Sequence, residues 1–107
     1  MLLRGVNDNP AVLGALLRAL VECRIKPYYL HHPDLAPGTA HFRLGIAQGQ
    51  ALVRALRGHY SGLCQPTYVL DLPGGHGKSP IGPTYLDATT GLVLDYGGIA
   101  HVYPGEP

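Results

Sequence analysis

Lys78 follows a glycine-rich segment and has the clearest capacity for covalent chemistry in this 107-residue chain. The segment Pro73–Gly77 reads Pro-Gly-Gly-His-Gly, and its glycines let a backbone approach a ligand closely. A lysine amine placed after such a loop can form a Schiff base with a carbonyl cofactor. The alternative is a flexible turn with a surface lysine, so the elements around the loop must decide between the two.

The sequence Gly77-Lys78-Ser79 copies the end of a phosphate-binding P-loop, but the rest of that motif is missing. The motif requires a glycine where Leu72 stands and a helix after the lysine. Prolines at 80 and 83 disfavour a helix there. We therefore do not expect this loop to bind a nucleotide phosphate.

Two amphipathic helices are expected to support the loop. Apolar residues recur at helical spacing from Pro10 to Glu22, and Asn9 is a suitable N-cap. A second helix is predicted over 47–57, followed by Gly58 as a left-handed cap. The side chains expected to be buried on this helix are Leu52, Ala55 and Leu56.

Strands are expected to alternate with these helices. The predicted strands are the stub Leu2-Leu3, residues 25–30 and residues 67–70. This alternation is typical of parallel strands with crossover helices, as in half a barrel or an open α/β sheet. After Lys78, short strands at 84–86, 92–96 and 99–103 predict a small β appendage. Both ends of the sequence look cut, so we expect a fragment of a larger protein.

Polar residues follow the two longer predicted strands. His31, His32 and Asp34 follow residues 25–30, and Asp71 follows residues 67–70, shortly before Lys78. Ligands of barrels and open α/β sheets gather at the carboxyl ends of the strands. Two carboxylates at one rim repel unless a cation lies between them. The pattern therefore predicts an amine-binding site in which the two acids and the lysine converge.

A metal site is a weaker interpretation of the side chains in this region. Four of them are metal-ligand types, without an established ligand spacing: His31, His32, Asp34 and His41. We expect no metal ligand among them. The simpler expectation is that His32 and His59 are loop residues bonded to backbone, and that Cys23 and Cys64 are small buried side chains.

Composition narrows the class of partner and the compartment. The net charge of +1 disfavours nucleic acid as a partner. No apolar run reaches the roughly 20 residues that span a bilayer, and the amino terminus lacks the features of a signal peptide. The two cysteines form neither a CxxC pair nor a disulfide framework. We expect a cytoplasmic protein that binds neither nucleic acid nor a membrane.

Several short blocks of residues resemble those of a known protein family, and they occur in the same order and register as in that family. They are Leu2–Asp8, Pro27–Leu30, Asp34–Arg43, Leu56–Gly58, Ser61-Gly62, Pro66–Val69, and Asp71 with Pro73–Lys78. Together, from Leu2 to about Pro104, they resemble the carboxy-terminal third of the lysine 2,3-aminomutase family of radical S-adenosylmethionine enzymes. The resemblance implies a partial TIM-like (β/α) barrel over 1–72, with the pyridoxal loop and the β appendage over 73–107.

The resemblance also implies residue roles. Lys78 matches the lysine that binds pyridoxal 5′-phosphate as an internal aldimine, and Asp34 and Asp71 match the aspartates that hold the distal ammonium of the lysine substrate. His31 stands near the pyridoxal and adenosyl groups. The implied full-length enzyme is a homo-oligomer that interconverts L-lysine and β-lysine. It also uses S-adenosylmethionine and a 4Fe-4S cluster, whose three cysteine ligands must lie outside this chain, which alone should be inactive.

Two positions depart from the family pattern. His76 replaces a loop glycine, and His31 replaces a tyrosine of the lysine-specific enzymes. A histidine at position 31 resembles the related branch that prepares β-lysine for elongation factor P, so that branch is one alternative. The other is a non-catalytic remnant that binds pyridoxal or an amine. Retention of Asp34 and Asp71 argues against a glutamate-specific member, whose substrate carries a negative side chain.

Overall fold

The fold is known from a computed structural model that describes residues 1–104, so 105–107 at the end of the predicted appendage lie outside the described part. It is a mixed α/β structure with two helices and two small sheets. The helices are α1 (Pro10–Glu22) and α2 (Ile46–Leu56), and short 3₁₀ turns occur at Ala40–Phe42 and Gly62–Cys64. The strands are β1 (Tyr29–His31), β2 (Thr67–Asp71), β3 (Lys78–Pro80), β4 (Leu86–Asp87), β5 (Leu92–Leu94) and β6 (Ala100–Val102). Within 1–104 no helix is long and apolar enough to cross a membrane.

Helix α1 has the predicted bounds and the predicted cap. The Asn9 side chain accepts hydrogen bonds from the amides of Ala11 at 2.8 Å and Val12 at 3.3 Å. Leu13 and Leu17 are buried, whereas other members of the predicted apolar face, Val12 and Leu16, remain about half exposed. The apolar face of α1 is therefore wider than the part that the core covers.

Helix α2 begins one residue earlier than predicted and buries a slightly different face. Gly49, Leu52, Val53 and Leu56 are its buried residues. The prediction that Ala55 is buried is wrong: Ala55 is exposed, because it lies one residue, or about 100° of helical turn, away from Leu56 on the solvent side. Gly58 follows with φ of +81°, as its predicted capping role requires.

The first sheet has the order β1-β2-β3. Strands β1 and β2 are parallel with α2 in the connection between them, which confirms this part of the predicted alternation. Strand β3 returns antiparallel to β2 and was not predicted. A strand at Lys78–Pro80 is difficult to foresee because it is short and contains proline, which sheets tolerate mainly at an edge.

Two strand predictions at the amino-terminal side need correction. Residues 25–28 are not part of β1: Ile25 is exposed, and Pro27 has no amide hydrogen to donate to a ladder. Leu2-Leu3 is not a strand either. Leu2 is fully buried and its amide donates to the carbonyl of His31 at 2.9 Å, but the chain turns away at once over residues 4–7.

The core joins both helices to the first sheet. Its fully or almost fully buried side chains include Leu2, Leu13, Leu56 and Tyr68. Cys64 belongs to this core as predicted, but the expectation that Cys23 is buried is wrong. Cys23 is the C-cap of α1, where the chain leaves the helix at the surface.

The second sheet is the predicted small β unit, with the antiparallel order β4-β5-β6 and strands shorter than expected. Tyr85 lies in the segment between the two sheets, and the guanidinium of Arg57 lies over its ring, 4.5 Å from the centroid. Such a cation–π contact ties the segment before β4 to the end of α2. Tyr96 also packs at Gly58, where a Cβ would overlap its ring.

Candidate functional site

The hairpin formed by β2 and β3 places Lys78 opposite Asp71. The two residues are register partners, and Lys78 Nζ lies 3.5 Å from Asp71 Oδ1. The connecting loop is closed by a hydrogen bond of 2.8 Å from the Leu72 amide to the Gly77 carbonyl. Cross-strand neighbours in antiparallel strands lie side by side. The predicted proximity of this lysine to one of the two acids is confirmed, and the cause is strand register.

The loop of this hairpin is open around the lysine. Gly74, Gly75 and Gly77 all have positive φ, and a Cβ at Gly75 or Gly77 would meet nothing within 4 Å. The Lys78 side chain is 47% exposed. An accessible primary amine beside a carboxylate, approached over an unobstructed glycine backbone, fits the aldehyde of a pyridoxal cofactor.

His31 joins the same face of the sheet. In the parallel pairing His31 lies opposite Val69, two residues before Asp71, so the side chains of His31 and Asp71 project on one side. His31 Nδ1 is 3.9 Å from Asp71 Oδ2. Asp71 therefore lies between an imidazole and an ammonium group.

Asp34 and Asp71 border one cavity of about 520 Å³ at the carboxyl ends of β1 and β2. Its other lining residues include His32, Arg43, Ile46 and Leu70. Within residues 1–104, Asp34 makes no ion pair with a basic side chain, and Lys78 is not among the residues that line the cavity. The structure thus brings together Asp71 with Lys78, and Asp34 with Asp71; Asp71 is common to both groups.

Arg43 holds the loop that carries Asp34. Its guanidinium donates to the backbone carbonyls of Asp34 at 3.1 Å and Ala36 at 2.8 Å, and to the Thr39 hydroxyl at 3.3 Å. The arginine thus bonds the backbone of Asp34, a residue that lines the cavity. In the sequence, Arg43 stands only at the end of one of the blocks that resemble the family. Its contact with the Asp34 loop was missed because its donors reach backbone carbonyls, which carry no side-chain signal.

The expectation that His32 is a loop residue bonded to backbone holds for its amide but not for its ring. His32 is 8% exposed, and its Nδ1 lies 2.6 Å from the hydroxyl of Tyr68, which is 1% exposed. Burial lowers the pKa of His32 below its usual value and raises the pKa of Tyr68 to about 12. The available signal was Tyr68 itself, because a tyrosine in an otherwise apolar strand needs a partner for its hydroxyl.

The other histidines of this region lie apart from these contacts. The rings of His41 and Phe42 pack at a tilt with centroids 4.1 Å apart, and His59 meets the edge of Tyr96 at 5.9 Å. In the part of the chain that the structure describes, no three His, Cys, Asp or Glu side chains are grouped to hold a metal ion. An iron–sulfur cluster does not fit the cysteines of this chain, since Cys64 is buried in the core and Cys23 lies at the surface.

The fold is mixed α/β, with an exposed lysine facing one acid and a second acid lining a cavity that the first acid shares. Comparison with known proteins gives the family. The family model described as lysine-2,3-aminomutase matches residues 53–107. The chain therefore belongs to the lysine 2,3-aminomutase family.

Three relatives illustrate the similarity. The L-lysine 2,3-aminomutase of Clostridium subterminale is 48% identical over 86 residues, which cover 80% of this chain and 21% of the relative. That of Bacillus subtilis is 36% identical over 110 aligned residues, covering 100% of this chain and 23% of the relative. The glutamate 2,3-aminomutase of Clostridioides difficile is 38% identical over 86 residues, covering 80% of this chain and 20% of the relative. The chain thus spans about a fifth of the length of these curated relatives.

Proposed function

We propose that this chain supplies the pyridoxal-binding and substrate-binding part of an aminomutase that interconverts L-lysine and β-lysine. One observation carries the proposal. In a member of this family, Asp71 lies 3.5 Å from the amine of Lys78 and shares a cavity with Asp34. An amine for the cofactor and two acids for a cationic side chain are thereby available at the carboxyl ends of two parallel strands.

Lys78 would hold pyridoxal 5′-phosphate through its Nζ. The cofactor, with a radical derived from S-adenosylmethionine at a 4Fe-4S cluster, would supply the chemistry of amino-group migration; the cluster ligands lie outside this chain. The residues of this chain bind and orient. The open loop leaves the Lys78 amine accessible, and His31, which lies beside Asp71, would neighbour both cofactors.

Asp34 and Asp71 would hold the distal ammonium of the substrate. Asp71 is paired with the Lys78 ammonium when that amine is free. A substrate ammonium could replace the Lys78 ammonium beside Asp71 when Lys78 holds the cofactor. Lys78 and the substrate would therefore share one acid.

The charge of the substrate side chain distinguishes the proposed lysine substrate from glutamate, which the name of one relative indicates. A substrate with a second carboxylate would be repelled by Asp34 and Asp71, whereas an ammonium group would be attracted. A second candidate is the branch that acts in lysine modification of elongation factor P, and His31 is the observation that favours it. A remnant that binds pyridoxal or an amine without catalysis is the alternative from another class.

The wider architecture is part of the proposal. We assign residues 1–72 to the last units of a partial TIM-like radical S-adenosylmethionine barrel. We assign residues 73–107 to the pyridoxal loop and the β appendage, with β3 joining the loop to the first sheet. The small share of the relatives that the chain spans supports a larger working enzyme. We propose that this enzyme is cytoplasmic and homo-oligomeric.

Substitution of the two lysines tests the cofactor assignment, since Lys26 and Lys78 are the only lysines in the chain. The natural protein is incubated with pyridoxal 5′-phosphate, reduced with borohydride and digested. Peptide mass spectrometry should find the pyridoxyl label on Lys78. Lys78→Arg, which retains the charge beside Asp71, should lose both the label and the cofactor absorbance, while Lys26→Arg should keep them.

A label that persists in Lys78→Arg would remove Lys78 from the cofactor site. Unreduced protein loaded with pyridoxal 5′-phosphate is assayed in parallel with L-lysine, reductant and S-adenosylmethionine. Formation of β-lysine is expected. If Lys78 takes the pyridoxyl label but the protein forms no β-lysine from either free or protein-bound lysine, the non-catalytic binding module is favoured instead.

A further inference from the structure

A buried hydrogen bond connects the two segments that carry Asp34 and Asp71. His32 lies two residues before Asp34, Tyr68 lies three residues before Asp71, and His32 Nδ1 is 2.6 Å from the Tyr68 hydroxyl. We propose that this bond is a positioning device that sets the separation of the two acids, and so the affinity for the substrate's distal ammonium. The inference rests on the proposed function.

The backbone supports the same connection. The His32 amide donates to the Val69 carbonyl at 2.9 Å, so His32 bonds to the β2 segment through both its backbone and its ring. Beyond His32 comes Pro33, which is buried and whose ring fixes one backbone dihedral before Asp34. Little freedom therefore remains between the buried bond and the carboxylate that it would position.

Helix α2 provides room for the bond. At Gly49 the Tyr68 hydroxyl occupies the place that a Cβ would take. Tyr68 thus reaches His32 against a helix surface that only glycine leaves open. The hydrogen bond is consequently fixed by β1, β2 and α2 together, and a displacement of any of the three would change the spacing of the acids.

The uncharged forms of His32 and Tyr68 suit a cavity that binds a cation. Burial favours the uncharged form of each partner, lowering the pKa of His32 and raising that of Tyr68. His32 lines the same cavity as Asp34 and Asp71. A neutral imidazole there adds no positive charge that would compete with a substrate ammonium. Because the two hydrogen-bonding groups satisfy each other, neither requires a carboxylate as its partner.

Tyr68→Phe removes the hydroxyl and retains the ring, so it is the direct test. Tyr60→Phe is a matched control, because Tyr60 also presents its hydroxyl to a helical glycine, at Gly14 of α1, away from both acids. Calorimetry on the natural protein loaded with pyridoxal 5′-phosphate measures binding of L-lysine and of L-norleucine, which lacks the distal ammonium.

Loss of one hydrogen bond that positions the acids should weaken lysine binding by about fivefold. Norleucine binding should change little in Tyr68→Phe, and Tyr60→Phe should leave both ligands unaffected. His32→Gln, which can still bond the Tyr68 hydroxyl, should retain more of the lysine preference than His32→Ala. Equal weakening of lysine and norleucine in Tyr68→Phe would assign the bond a purely structural role and overturn the inference.

A second measurement does not depend on a ligand. Amide hydrogen exchange over residues 32–36 should accelerate in Tyr68→Phe but not in Tyr60→Phe, because only the first variant releases the Asp34 segment. Unchanged exchange there would contradict positioning even if ligand binding fell. A wild-type protein without preference for lysine over norleucine would instead overturn the proposed function, and the inference with it.

Discussion

Lys78 and Asp71 face each other across a hairpin, with the lysine nitrogen 3.5 Å from the carboxylate. Asp71 also approaches His31 at 3.9 Å and borders the cavity that contains Asp34. A single acid thus connects the lysine proposed for the cofactor with the cavity proposed for the substrate. Because Lys78 and a substrate ammonium would use the same acid, cofactor binding and substrate binding should be linked.

The first prediction concerns the two acids. Asp34→Asn and Asp71→Asn should each raise the KM for L-lysine by tenfold or more, roughly the cost of removing one charge from a partly desolvated ion pair. Pyridoxal attachment to Lys78 should persist in both variants. Steady-state kinetics and absorbance spectra of the natural protein measure the two effects.

Asp87→Asn is the matched control for these charge removals. The Asp87 carboxylate accepts a hydrogen bond from the Thr89 amide in a turn of the second sheet, and an asparagine side chain can accept the same bond. Asp87→Asn should leave the KM unchanged. An equal rise in KM for Asp87→Asn would attribute the effect to net charge, and an unaffected KM in Asp34→Asn would exclude Asp34 from the substrate site.

A second prediction concerns Arg43. Arg43→Lys should loosen residues 34–39, because a lysine cannot reproduce the fork of donors that now reaches Asp34, Ala36 and Thr39. We expect faster amide exchange in that loop and a severalfold higher KM for lysine, with a smaller change in kcat. Hydrogen exchange and kinetics measure both.

Arg18→Lys is the comparison for this substitution. Arg18 forms an exposed ion pair with Glu22 within α1, and such pairs contribute little to stability. Its replacement should change neither the exchange of 34–39 nor the KM. If Arg43→Lys behaves like Arg18→Lys, the guanidinium does not position the Asp34 loop.

The third prediction is a pH dependence of stability caused by His32. Its pKa in the fold is lowered below the ordinary value of 6.5, so the unfolded chain binds a proton more readily than the folded one. The contribution of His32 to folding is therefore complete above pH 6.5 and is lost as the pH falls below it through the lowered folded pKa. His32→Gln should lack this part of the acid sensitivity.

Urea unfolding of the natural protein and of His32→Gln, between neutral pH and the acid side of the histidine range, provides the measurement. The difference in unfolding free energy between them should narrow or reverse as the pH falls. His59→Gln, at an exposed histidine, should follow the wild type. Parallel curves for wild type and His32→Gln would mean that the His32 imidazole does not titrate differently in the fold.

The elements that were predicted correctly are those with strong local signals. Helix α1 has the predicted bounds because Asn9 and Pro10 define its start and its apolar spacing is regular. The parallel arrangement of β1 and β2 follows from the helix between them, and Gly58 adopts its predicted left-handed conformation. The errors are of two kinds. The core does not cover Ala55 and Cys23, which were expected to be buried, and strand pairing does not include Leu2-Leu3 and residues 25–28.

The pairing of Asp71 with Lys78 shows the boundary between local and tertiary information. The sequence by itself determined the kinds of residue available: a lysine after a glycine loop, acids after two strands, and blocks that resemble a known family. The tertiary structure alone decided that Lys78 begins a return strand in register with Asp71. It also decided that Arg43 bonds to the Asp34 loop. The hydrogen bond of His32 with Tyr68, whose hydroxyl lies against Gly49, is likewise a tertiary contact. Spacing along a chain encodes periodicity, whereas register and hydrogen-bond partners depend on contacts between distant segments.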